Sequence, residues 1–139
     1  MPAARYWRLT RLESYDYGDL VLSEIALYEG VSRVDGSATI STVVPQSSGA
    51  LSALSDADFG TSVTWPAAAL LLPGFAIVWD FGSARDIVKV GLAGPSLLTF
   101  AHKAVLQYSS DGASWTNLTR QHFRTKWADP TTFHEFGEY

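Results

Sequence analysis

The segment Phe75-Ala76-Ile77-Val78-Trp79-Asp80-Phe81 sets Phe75, Ile77, Trp79 and Phe81 against Ala76, Val78 and Asp80. Large apolar groups two residues apart share one side of an extended chain, and a mostly apolar second set predicts a strand near the centre of a sheet, buried on both faces. The same alternation extends in both directions. Residues 5 to 12, around Trp7 and Leu9, and residues 20 to 29, around Leu22, Ile25 and Leu27, read as strands. Further strands are expected over 38 to 44, closed by Pro45, and over 86 to 93 and 103 to 109. Asp111-Gly112 predicts a hairpin turn into a strand at 114 to 118. One short helical turn is expected within 50 to 58, and no sustained helical periodicity appears. These short strands, separated by Gly, Pro and Asp turns, predict an all-β sandwich of about eight antiparallel strands.

The totals agree with one domain spanning residues 1–139. A chain of 139 residues that is 47% hydrophobic and 13% aromatic can bury one continuous core. Ten basic residues, scattered along a chain of net charge −4, form no stripe that could follow a nucleic acid. Cysteine is absent, which excludes disulfides and thiolate metal sites and fits a reducing compartment or a bacterial or viral source. The opening residues Met1 to Arg5 have no signal-peptide character. The apolar run from Ala67 to Trp79 is broken at Pro73-Gly74 and is too short for a membrane helix, so no membrane insertion is expected. His102, His122 and His134 lack zinc-ligand spacing, and no nucleophile elbow or phosphate loop is present, so the expectation is a non-catalytic chain. Trp7, Trp79, Trp115 and Phe81 are expected in the core.

An ordered series runs along residues 6 to 118: Tyr6-Trp7-Arg8-Leu9; Leu22 to Tyr28 with its Ser23-Glu24-Ile25; Leu54-Ser55-Asp56 with Thr61 and Trp65; Val78-Trp79-Asp80-Phe81-Gly82; and Leu106 to Trp115 with its Ser-Asp-Gly turn. No piece is specific alone, but in this order they resemble the discoidin family, also called coagulation-factor type C, within the galactose-binding-like jelly-roll sandwiches. In that family the Tyr-Trp-Arg-Leu and Ser-Glu-Ile pair closes the domain, whereas here it comes first, so the resemblance implies a circular permutation. The arrangement is similar to those of phage tail and other virion proteins. It implies a virion location after synthesis in a host cytoplasm.

The resemblance also implies a structural Ca²⁺ held by Glu24, Asp56, Asp58 and Thr61, since this hard cation takes six to eight oxygen ligands. The alternative is that Asp56 caps a turn and Glu24 pairs with an arginine. For ligand binding, loop and tail residues able to stack on a sugar or fix its hydroxyls are Tyr15, Asp16, Tyr17, His102, Arg124 and Trp127. The expected function is recognition of host-surface carbohydrate by a multicopy or homo-oligomeric tail, baseplate or fibre module. Its rival is a structural virion subunit that docks other virion proteins, with residues 120–139 as a closing strand or interface tail.

Overall fold

A computed structural model describes residues 3–96, 98–122 and 134–137, with residues 102, 119–122, 134, 136 and 137 given by their backbone alone. The central strand is β1 (Ala4–Ser14). β2 (Leu20–Leu22), β3 (Glu24–Glu29), β4 (Ser32–Arg33), β5 (Thr39–Thr42) and β6 (Val63–Trp65) follow, then the one-turn helix α1 (Ala67–Leu70). The chain continues through β7 (Ala76–Arg85), β8 (Lys89–Ala93), β9 (Ala101–Ser109), β10 (Thr116–His122) and β11 (His134–Gly137). Two antiparallel sheets result, one in the order β10-β9-β1-β7-β5 and one in the order β11-β8-β3-β4, with a small β2-β6 pair beside them. The all-β sandwich is therefore present. It has eleven strands among the described residues rather than about eight, because β2, β4 and β6 are two- or three-residue pieces.

One apolar cluster joins both sheets: Trp7, Leu9, Ile77, Trp79 and Leu106 come from the larger sheet, and Ile25, Leu27, Val90 and Leu92 from the smaller. Burying the indole rings of Trp7, Trp65 and Trp79 leaves their polar N–H groups in need of acceptors. Trp7 Nε1 donates to the Ala4 carbonyl at 2.9 Å, and Trp65 Nε1 to Thr42 Oγ1 at 3.2 Å. Truncating a ring of this kind costs on the order of 3–5 kcal/mol.

Three sequence expectations need correction. In β7 Ile77, Trp79 and Phe81 turn into the core, while on the opposite side Ala76 is buried but Val78 and Asp80 are only half-buried, so the second face is not buried along its length. The run from 20 to 29 is two strands. Leu20 and Leu22 are buried before Ser23, Ile25 and Leu27 after it, so inward parity changes there, and β2 pairs with β6 while β3 pairs with β8. Trp115 is absent from the core cluster: it lies on the outer side of the larger sheet with the Arg8 guanidinium 4.2 Å from its ring centre. It precedes β10 in the hairpin loop, where no neighbouring strand carries it inward.

Candidate functional site

Two groups of residues stand out, one at the end of β1 and one beneath the Asp56 turn. Along the first, β1 departs from regular pairing. From Thr10 to Glu13 it advances three residues while β9 advances only two, from Val105 to Lys103, which is a bulge. Arg11 within it has a φ of 53°. The extra residue reverses the parity of the strand, so that Leu12 and Ser14 are buried and Arg11 is exposed.

The loop after β1 is fixed by its own backbone. The Tyr15 N–H donates to the Phe100 carbonyl at 3.0 Å and the Asp16 N–H to the Leu98 carbonyl at 3.1 Å, so the loop lies against the segment that enters β9. Asp16 Oδ1 accepts from the Gly18 N–H at 2.9 Å and lies 3.0 Å from Ser14 Oγ, an Asx-type turn. Tyr17 at its tip has a φ of 58° and is 71% exposed. Asp19 Oδ1 accepts the Ala67 N–H at 3.2 Å, which brings α1 alongside.

Arg11, Leu12, Glu13, Ser14, Tyr17 and Lys103, with Ala67, Leu70 and Leu71 of the α1 segment, surround an open cavity of about 390 Å³. Lys103 Nζ lies 3.5 Å from Glu13 Oε2. Of the expected ligand-binding residues, Tyr17 therefore lines the cavity. Asp16 holds the turn that carries Tyr17, and Tyr15 is half-buried within the loop. The backbone of His102 lies in β9 beside Lys103 at this same end. Arg124 and Trp127 lie outside the described residues.

The second group surrounds Glu24, whose side chain is wholly buried. Arg33 Nη2 donates to Glu24 Oε2 at 2.6 Å, to Asp35 Oδ2 at 3.1 Å and to the Leu54 carbonyl at 3.2 Å, while its Nε donates to Asp35 Oδ1 at 2.8 Å. Glu24 Oε1, also buried, receives no hydrogen bond. The Asp56 carboxyl, another acceptor, is close to the Glu24 carboxyl, so at neutral pH the two cannot satisfy each other without a proton or a cation between them. Burial raises the Glu24 pKa above its ordinary 4.5; Arg33 opposes that rise and Asp56 adds to it. Asp56 itself is held low by the Thr61 hydroxyl, which donates to Oδ2 at 2.6 Å, and by the Asp58 N–H, which donates to Oδ1 at 2.9 Å.

The four residues expected to hold a metal are thus brought together in part. Glu24 and Asp56 are neighbours, and Thr61 reaches Asp56. Asp58 turns back to accept the Gly60 N–H at 2.8 Å. Among the described residues no three of His, Cys, Asp and Glu converge as a ready-made cage. Asp56 closes a turn and Glu24 pairs with Arg33. Even so, the unpartnered Oε1 and the nearness of the Glu24 and Asp56 carboxyls leave the oxygen chemistry suited to one hard cation.

Sequence reasoning missed Arg33, Asp35 and Arg11. Arg33 and Asp35 fall in a Ser-, Val- and Gly-rich stretch between two expected strands, and their spacing of two was the one signal that they share a side. Arg11 gave no signal, since its exposure depends on the bulge. Comparison with protein families, with curated proteins and with solved structures finds no match to this chain.

Proposed function

We propose that this chain is a non-catalytic carbohydrate-binding module that works through the loop at Tyr15–Tyr17, in many copies, as part of a phage tail, baseplate or fibre. One observation carries the binding part of this reading: Tyr17 stands exposed on a left-handed backbone at the edge of an open cavity backed by Leu70 and Leu71. A non-glycine residue held there costs on the order of 1 kcal/mol or more, and such strain collects at binding sites. An exposed phenol ring offers the C–H face of a sugar a stacking surface, and Arg11, Glu13 and Lys103 supply polar partners for hydroxyls. An open site of this size gives weak single contacts, which repetition on a particle turns into avidity. The virion assignment rests on the likeness to permuted discoidin domains of tail proteins.

A Ca²⁺ belongs to the same proposal. Glu24, Asp56 and Thr61 would hold it, with carbonyl oxygens completing the shell, and the ion would neutralise the facing carboxylates and pin the Asp56–Thr61 turn.

A glycan array with the purified chain, with and without chelator, tests the function. The expected result is a restricted set of glycans whose binding falls at least tenfold in Tyr17→Ala, while the variant's stability stays within ~0.5 kcal/mol of the parent because the ring is exposed. A silent array under both conditions would favour the rival, a structural virion subunit without glycan binding.

A further inference from the structure

Among the described residues, the cavity beside Tyr17 is not electrically balanced. Its two cations differ in state: Lys103 lies 3.5 Å from the Glu13 carboxylate, whereas the Arg11 guanidinium meets no carboxylate among the described residues. Among the described residues, Arg11 is thus the charge without a carboxylate partner in a lining otherwise made largely of Leu12, Ala67, Leu70 and Leu71. The chain also keeps this arginine in the left-handed region, at a φ of 53°, where an unbranched polar side chain gains nothing from the fold. Bulges re-aim side chains, and this one turns Arg11 out of the strand's inward-facing row and onto the cavity. Among the described residues, two of the three non-glycine residues with positive φ, Arg11 and Tyr17, line this cavity.

A guanidinium offers a fork of parallel N–H donors that matches a carboxylate, and the hydroxyls of a neutral sugar use it less well. Beside an apolar wall that pair is poorly screened by water. We infer that the cavity takes an acidic saccharide, with the carboxylate of a uronic-type sugar bound by Arg11 and its C–H face laid on the Tyr17 ring. The inference rests on the carbohydrate-binding reading above and names the ligand class of the same site.

Two matched pairs of probes test it: methyl galactoside against methyl galacturonide, and methyl glucoside against methyl glucuronide, titrated into the full chain and followed by amide chemical shifts. At least one uronide should bind about tenfold more tightly than its neutral twin, and 0.5 M NaCl should shrink the difference. Arg11→Gly should bring the ratio to about one. The same substitution should raise the melting temperature by roughly 3 °C, because glycine accepts the left-handed backbone without cost. Loss of discrimination in a more stable protein separates a binding role from a folding one, and Arg11→Lys should restore part of the preference.

Equal binding within both pairs, or an undiminished preference in Arg11→Gly, overturns the inference and leaves the glycan reading standing. Failure of all four probes alongside a positive array of neutral glycans does the same. Failure of all four alongside a silent array removes both.

Discussion

Glu24 has one carboxylate oxygen satisfied by Arg33, its Oε1 receives no hydrogen bond, and the Asp56 carboxyl lies close to the group. The carboxyl's raised pKa means that between 4.5 and its folded value the native chain binds more protons at this site than the unfolded chain does. Stability contributed by Glu24 is therefore present at and below pH 4.5 and is lost as pH rises through the folded value. Carboxylates shifted the other way, such as Asp56 and Asp80, are already ionised in both states over this window and do not mask the slope. In chelator, thermal melts from pH 4.5 to 8 should fall more steeply with rising pH in the parent than in Glu24→Gln. An equal slope in both would show that Glu24 is ionised in the fold as it is in the unfolded chain. Part of this arrangement was legible beforehand: the Ser-Glu-Ile strand and the Asp56 turn were expected to meet, and they do. The arginine that closes the group was not, because one basic residue in a polar stretch has no pattern to betray its burial.

Among the described glycines, Gly49 in the segment before β6 leaves the least room for a side chain. Gly49 has a φ of +83°, and a Cβ built there would lie 2.3 Å from the Ser62 carbonyl oxygen and 3.0 Å from Val63 Cα. Backbone cannot swing aside as a long side chain can, so Gly49→Ala should destabilise by roughly 2 kcal/mol or more in urea unfolding, by parting this loop from β6. A loss below about 0.5 kcal/mol, the range of ordinary surface changes, would mean the loop is free to move off. At this scale the sequence was informative where alternation ran unbroken, as in Ile77, Trp79 and Phe81, because period two has one structural meaning. It was silent wherever one residue changes parity. Ser23 divides the stretch from 20 to 29 between two sheets, and the bulge at Arg11 reverses the end of β1, each by a backbone departure that leaves composition untouched. The cavity depends on that second departure and on a one-turn helix, and neither has a signature in a single sequence. The Asp111-Gly112 turn shows the opposite case. Asp111 accepts the N–H groups of Ala113 and Ser114 at 2.8 and 3.0 Å, which hold its carboxyl down to about 2, and the residue types alone announced the hairpin.

Across the molecule, the two sheets share one core, and the Glu24 group sits where β3, β4 and the turn after Leu54 meet, so ion binding there should register as stability of the whole fold. Calcium at about one hundred times its dissociation constant should add ~2.7 kcal/mol to unfolding, seen as a higher melting temperature that chelator reverses. Glu24→Gln should remove most of that gain, and a melt indifferent to calcium would dismiss the ion while leaving the proposed sugar site untouched. The chelated protein should remain folded with its near-ultraviolet signal intact. Arg33 explains why. A guanidinium built into β4 already stands between Glu24 and Asp35, so the chain brings a counter-charge of its own from the moment it is synthesised. Assembly need not wait for an external supply of divalent metal, and an ion met afterwards would stiffen a shape already made.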